Sequence, residues 1–152
     1  MEISTGIEIF ENTSSDKILL KINKGQWQDI YDGLCIIHEK SIKIDYSYFK
    51  YFATKNTYPL ISTLITNNID TILLNNNNFT VYVNMKSLTF SEIEKHMEYI
   101  QFISILLRDK YPGKLFKCYI YNPPFIFSQL FNIISFLIDK ETISKIELIQ
   151  NK

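Results

Sequence analysis

The chain has 152 residues, 46% of them hydrophobic and 14% aromatic, which is enough for one domain with a real core. Sixteen basic residues balance sixteen acidic ones, so no overall field points to nucleic acid, and any attraction to a membrane has to be local. The N-terminus reads Met-Glu and lacks a basic stretch followed by an apolar run, so no secretory signal is expected, and two cysteines without metal spacing read as reduced core thiols of an intracellular protein.

In chain order, residues 12–16 read as a loop. Ile18, Leu20 and Ile22 alternate with Lys17, Lys21 and Asn23, predicting a strand over 17–23 with a turn at Lys24-Gly25. Residues 26–39 read as a short helix followed by a strand at 34–37. Residues 45–66 form a helix candidate rich in aromatic side chains, interrupted or kinked near Pro59. The Asn75–Asn78 run is a turn, and 79–83 is a strand. Ser91 is the predicted N-cap of a helix over 91–110, with Glu92 and Glu94 in its first turn and Ile93, Met97, Ile100, Ile103, Leu106 and Leu107 on one face. The helix ends before Tyr111-Pro112-Gly113. Strands follow at 117–122 and 145–149, separated by an apolar stretch at 125–138 that is too long for a strand. The order β-α-β-α-β predicts right-handed crossovers and a largely parallel sheet in one domain spanning 1–152.

Residues 118–138 contain no charged side chain. Their length raises the question of a membrane span, which Pro123, Pro124 and the polar Ser128, Gln129, Asn132 and Ser135 argue against. The polar residues form one narrow helical stripe, and a helix apolar on the rest of its surface needs cover. That cover can be protein, lipid or membrane, and physics alone favours burial between the sheet and neighbouring elements.

No catalytic set is visible. His38 and His96 stand apart and read as surface or cap residues, the four glycines form no phosphate loop, and no carboxylates pair in a motif. Lys110, Lys114 and Lys117 could meet phosphate, though such a cluster is usually a solvated face. Neither enzyme chemistry, a metal nor a cofactor is expected.

Several features in order resemble the CRAL-TRIO lipid-binding domain in its phosphatidylinositol-transfer form. They are Tyr111-Pro112 at a helix end, Asn122-Pro123-Pro124 closing a strand, Phe125-Ile126-Phe127-Ser128 opening an apolar helix, then Asp139, Thr142 and Lys145-Ile146. Upstream, residues 79–91 are similar to the family's strand and Asp-Leu-Lys-Gly turn, with Asn84 in place of Asp and Ser87 in place of Gly. The resemblance covers 79–149, with weaker similarity from near Lys17.

The resemblance implies an α/β fold: a mostly parallel sheet flanked by helices, with an apolar lipid cavity under a gate helix at 125–138. It implies cavity and gate roles for Val81, Val83, Tyr119, Tyr121, Phe125, Phe127, Leu130, Phe131 and Ile134. Head-group contacts would fall on Thr142 and Lys145, and on Thr89 and Ser91. The implied activity is binding and intermembrane transfer of phosphatidylinositol or a phosphoinositide by a cytoplasmic protein that meets membranes transiently, with phospholipid as ligand and no nucleic acid partner. The alternative is a protein-interaction module of the family's divergent branch, binding a small GTPase or another partner. This chain has Gly113 where the family carries a Glu, and against the family pattern an absent or vestigial N-terminal helical domain and a missing C-terminal closing segment are expected. A homo-oligomer covering the exposed cavity is therefore a further expectation.

Overall fold

In a computed structural model of the chain, which describes residues 15–149, five strands form one sheet in sequential order. They are β1 (Cys35–His38), β2 (Ser41–Asp45), β3 (Phe79–Asn84), β4 (Leu115–Tyr121) and β5 (Ile146–Ile149). β1 and β2 form an antiparallel hairpin across Glu39-Lys40, and every later pairing is parallel. The parallel, sequential sheet expected from the C-terminal half is therefore present, with Val81, Val83, Ile120 and Ile146 all in it.

Two helices, α1 (Ser15–Asn23) and α2 (Trp27–Leu34), precede the sheet, and the parallel strands are connected by α3 (Tyr46–Phe52) and α4 (Tyr58–Leu73), then α5 (Phe90–Lys110), then α6 (Phe127–Ser135) and α7 (Lys140–Ile143). Sequential strands joined by right-handed crossovers put the connecting helices on one face of the sheet. The packing agrees. Ile42, Phe79 and Val81 pack with Ile61, Ile65, Ile69 and Tyr99, while Val83, Cys118 and Ile120 pack with Ile93, Phe127 and Leu130.

One expectation for the N-terminal half is corrected and another, the interruption near Pro59, is made definite. Residues 17–23 are helical, because Ile18 and Ile22 also stand four apart. Ile18 is buried while Leu19 and Leu20 are exposed, a helical and not an alternating pattern. The turn after it is as expected: Gly25 takes φ +74°, with Gln26 N donating to Lys21 O at 2.8 Å and Gly25 N to Ile22 O at 2.9 Å, a Schellman end. The helix candidate over 45–66 is two helices, because Pro59 sits in the first turn of α4, where its missing N–H is no loss. β2, just upstream, has a weak sequence signal, only Ile42 and Ile44 alternating with Ser41, Lys43 and Asp45.

The N-cap of α5 is Thr89 and not Ser91. Glu92 N donates to Thr89 Oγ1 at 3.3 Å, the T-x-x-E form of a capping box. The Tyr-Pro corner after α5 is held by Tyr111, whose buried hydroxyl donates to Asp70 Oδ1 at 2.7 Å on α4.

Candidate functional site

Between the sheet and its helices lies a cavity of about 220 Å³. Ile44 and Val83 form its floor, Ile100, Ile103 and Leu107 of α5 one wall, and Leu130 and Ile134 of α6 its cover. The exposed wall is entirely apolar.

Tyr46, Glu92 and His96 stand at one end of this cavity with their polar atoms turned to one another and to neighbours. Glu92 accepts from the hydroxyls of Tyr46 and Thr89. Burial raises its carboxyl pKa, but the hydrogen bonds from Tyr46 and Thr89, with Lys50 nearby, outweigh burial and hold it below the usual carboxylate range. His96 is only 3% exposed, its Nδ1 is 2.5 Å from the Tyr58 hydroxyl, and Phe49 lies edge-on to its ring. Burial, and then Lys95, push its pKa down against the opposing pull of Glu92, favouring the neutral ring. Tyr58 stacks on Tyr99, whose hydroxyl meets Ser62 at 2.9 Å and is pushed up to about 12 by burial first of all.

The cover begins at Asn122, which takes φ +56° and donates through Nδ2 to Asn84 Oδ1 at 3.0 Å. Pro123 and Pro124 end the β4 ladder, and Phe127 N bonds back to Pro124 O at 2.8 Å as the helix starts. Phe127 and Leu130 face inward and are buried, Phe131 and Ile134 are half-buried, and Ser128, Gln129, Asn132 and Ile133 face outward. The helix is shorter than the expected 125–138. Phe125 before it is 97% exposed and Phe136 after it 90% exposed. Beside Phe127 and Phe131, a second hollow of about 450 Å³ opens toward Ile146 and Leu148.

Of the residues expected at the site, Val83, Leu130 and Ile134 line the cavity, and Val81 shares their sheet face. Phe127 and Phe131 stack at 5.8 Å beside it, and Phe125 points to solvent. Tyr119 and Tyr121 do not line it. They lie on the opposite sheet face, where Tyr82 stacks on Tyr119 at 5.4 Å and meets Tyr121 at 6.3 Å, because alternate residues of a strand face opposite ways.

The four expected head-group residues do not come together. Thr142 and Lys145 precede β5, on the N-terminal side of the parallel strands, whereas Thr89 and Ser91 follow β3 beyond its C-terminal end, which the register puts about 13 Å from the level of Lys145 along the strands. Thr142 Oγ1 donates to Asp139 Oδ1 at 2.7 Å, within the cap of α7. Lys145 Nζ donates to Leu115 O at 2.7 Å and pairs with Glu141 at 3.5 Å.

His96 is buried at the cavity and not the surface or cap residue that the sequence suggests. Its place among Ile93, Met97 and Ile100 at helical spacing is the signal that could have found it. Among the described residues no cluster of His, Cys, Asp or Glu is placed to hold a metal ion, and no helix is long and apolar enough to cross a membrane.

Residues 39–152 match the family model of the CRAL/TRIO domain. The Sec14 cytosolic factor of Schizosaccharomyces pombe is 31% identical over 67 residues, a match that covers 44% of this chain and 23% of that protein. The crystal structure of Sfh5 superposes with a TM-score of 0.65 at 15% identity, over 82% of this chain and 48% of that one, which shows a shared fold.

Proposed function

The chain belongs to the CRAL/TRIO domain family, and we propose that it binds a phospholipid by its acyl chains beneath α6 and transfers it between membranes. The observation that carries this reading is an apolar cavity covered by a helix without a single charge. Each CH₂ moved from water into such a space is worth about 0.8 kcal/mol, so hydrocarbon is the favoured guest. At about 220 Å³ the cavity is smaller than the roughly 300–1,000 Å³ of ordinary small-molecule pockets, so loading requires α6 to move outward. The neutral outer stripe of α6 and the exposed Phe125 and Phe136 suit that movement at a bilayer surface, where small polar groups enter cheaply and aromatic rings favourably. Nothing in this activity calls for catalysis, and the protein would work as a cytoplasmic carrier that visits membranes.

Phosphatidylinositol or a phosphoinositide is the proposed cargo, with Thr142 and Lys145 as head-group contacts. Lys145 would then exchange Glu141 for phosphate while staying close to the sheet edge. Gly113 takes φ +71°, so a glutamate there would be strained, and any inositol contact has to come from elsewhere.

Lipid extraction and mass spectrometry of the purified chain test this directly. A phospholipid at near-stoichiometric occupancy is expected. A lipid-free chain that also takes up no fluorescent phospholipid from vesicles would sink the proposal. Capture of a partner protein through the exposed Phe125 and Leu148 would then favour the interaction-module reading.

A further inference from the structure

The single arginine of the chain ties α5 to the far end of α6. Arg108 Nη1 donates to the carbonyl of Leu137, in the turn that closes α6, at 2.8 Å. Its Nε donates to Asp109 Oδ1, also at 2.8 Å, which aims the guanidinium. A cation at a helix C-terminus is favourable, and a charged donor makes a stronger hydrogen bond than a neutral one. The contact is nonetheless accessible: the Arg108 side chain is 41% exposed, and Phe136, next to Leu137, is exposed almost completely. A phosphate accepts both donors of a guanidinium fork and carries charge, so at an anionic membrane surface, where lipid phosphates are concentrated and the apolar flank of the contact is also taken up, it outcompetes one peptide carbonyl.

We propose that Arg108 is the positioning residue that holds α6 across the cavity, and that the phosphate of a bilayer lipid releases it. The release half rests on the reading of the chain as a lipid carrier. The holding half follows from the geometry, because α6 cannot swing away from α5 while its C-terminal turn stays bonded to Arg108. Phe136 puts that bond where an apolar, phosphate-lined interface would reach it.

Amide hydrogen exchange of peptides across 127–138 in the full chain tests this. It is measured in buffer, with inorganic phosphate, and with phosphatidylcholine vesicles containing or lacking phosphatidylserine. Anionic vesicles should raise exchange in α6 about tenfold or more, and inorganic phosphate should not. Arg108→Gln should raise it to a similar level in buffer alone, with no further rise on vesicles. Arg108→Lys, which keeps charge but not the fork, should show intermediate protection and keep the vesicle response. Peptides from α4 report whether a variant has simply loosened the whole fold. Wild-type protection in Arg108→Gln, an undiminished vesicle response in that variant, or an equal response to inorganic phosphate would each overturn the proposal. Failure to recover lipid from the purified chain, with these exchange results intact, would strike the transfer reading and leave the latch standing.

Discussion

Asn122 donates its side-chain amide to Asn84 at 3.0 Å, joining the start of the covering helix to the C-terminal end of the neighbouring strand. Asn84 Oδ1 also accepts from Lys86 N at 3.1 Å, so one buried side chain organises both the turn after β3 and the approach to α6. Asn122 meanwhile sits at φ +56°, where asparagine is tolerated better than most residues. These two contributions can be separated. Asn122→Gly removes the hydrogen bond but fits the backbone, and should cost about 1 kcal/mol. Asn122→Ala loses the bond and adds left-handed strain, for about 2 kcal/mol or more in total. Urea unfolding of both variants checks the order, and equal losses would mean that the backbone is not strained.

Ser87 is the reverse case. It occupies φ +68° in the turn after β3, where the family pattern has Gly. A left-handed residue with a Cβ costs about 1–2 kcal/mol, part of which Gly gives back through its looser unfolded state. Ser87→Gly should therefore stabilise the chain by about 0.5–1 kcal/mol, read as a raised urea midpoint with an unchanged slope.

These turns show what the sequence makes legible. Gly113, Asn122 and the Asn-Pro-Pro break announce backbone geometry by residue type, and the strands they punctuate were correctly placed. The faces of the sheet were less accessible. The family resemblance puts Val81 and Val83 on one wall with Tyr119 and Tyr121, yet in the parallel register Val81 pairs with Cys118 and Tyr82 with Tyr119. Register is a long-range property that no local pattern carries, so valines and tyrosines from adjacent strands could not be sorted to opposite faces. The same limit hid the polar end of the cavity: Tyr46, Tyr58 and His96 come from three helices, and only packing brings them together. In 17–23 the failure was local, since seven residues cannot separate a period of two from a spacing of four.

His96 should make stability depend on pH. Its folded pKa lies below the ordinary 6.5, so the unfolded chain binds the proton more readily. The stabilising contribution is complete above the unfolded value and is lost as pH falls from there through the folded one. Glu92, held below its ordinary 4.5, begins to lose its own contribution only as pH falls below that value, so its window opens at lower pH than that of His96. Urea midpoints should fall as pH drops from about 7 through the ordinary 6.5 and below, and His96→Gln should flatten that segment. An unchanged slope in the variant would assign the titration elsewhere.

Lys145 has a structural duty that bears on its proposed head-group role. Its ammonium bonds to Leu115 O and pairs with Glu141, bridging the starts of β4 and β5. Lys145→Met, which keeps the apolar stem, should cost about 1–2 kcal/mol in thermal or urea melts. If the residue also contacts phosphate, transfer of phosphatidylinositol should fall further than transfer of phosphatidylcholine by the same variant. Equal losses for both lipids would confine Lys145 to its role in the sheet.

The covering role of α6 is best tested from its outside. Leu130 is 3% exposed and packs with Ile93 and Ile120, so Leu130→Glu would bury an uncompensated carboxyl at a cost of several kcal/mol. A collapsed melt is the expected result there, and it would report core packing and not membrane contact. Phe125 and Phe136 flank the helix and are almost fully exposed, so a charge at either position displaces no packed neighbour. Phe125→Glu and Phe136→Glu should leave the unfolding midpoint within about 0.5 kcal/mol of the parent. Both remove an aromatic ring from the interface and add a charge that resists entering it, so vesicle binding and lipid transfer should drop about tenfold or more in the double variant. Transfer at the parental rate, with an unchanged melt, would mean that the outer side of α6 never meets the bilayer, and cargo would have to reach the cavity by another route.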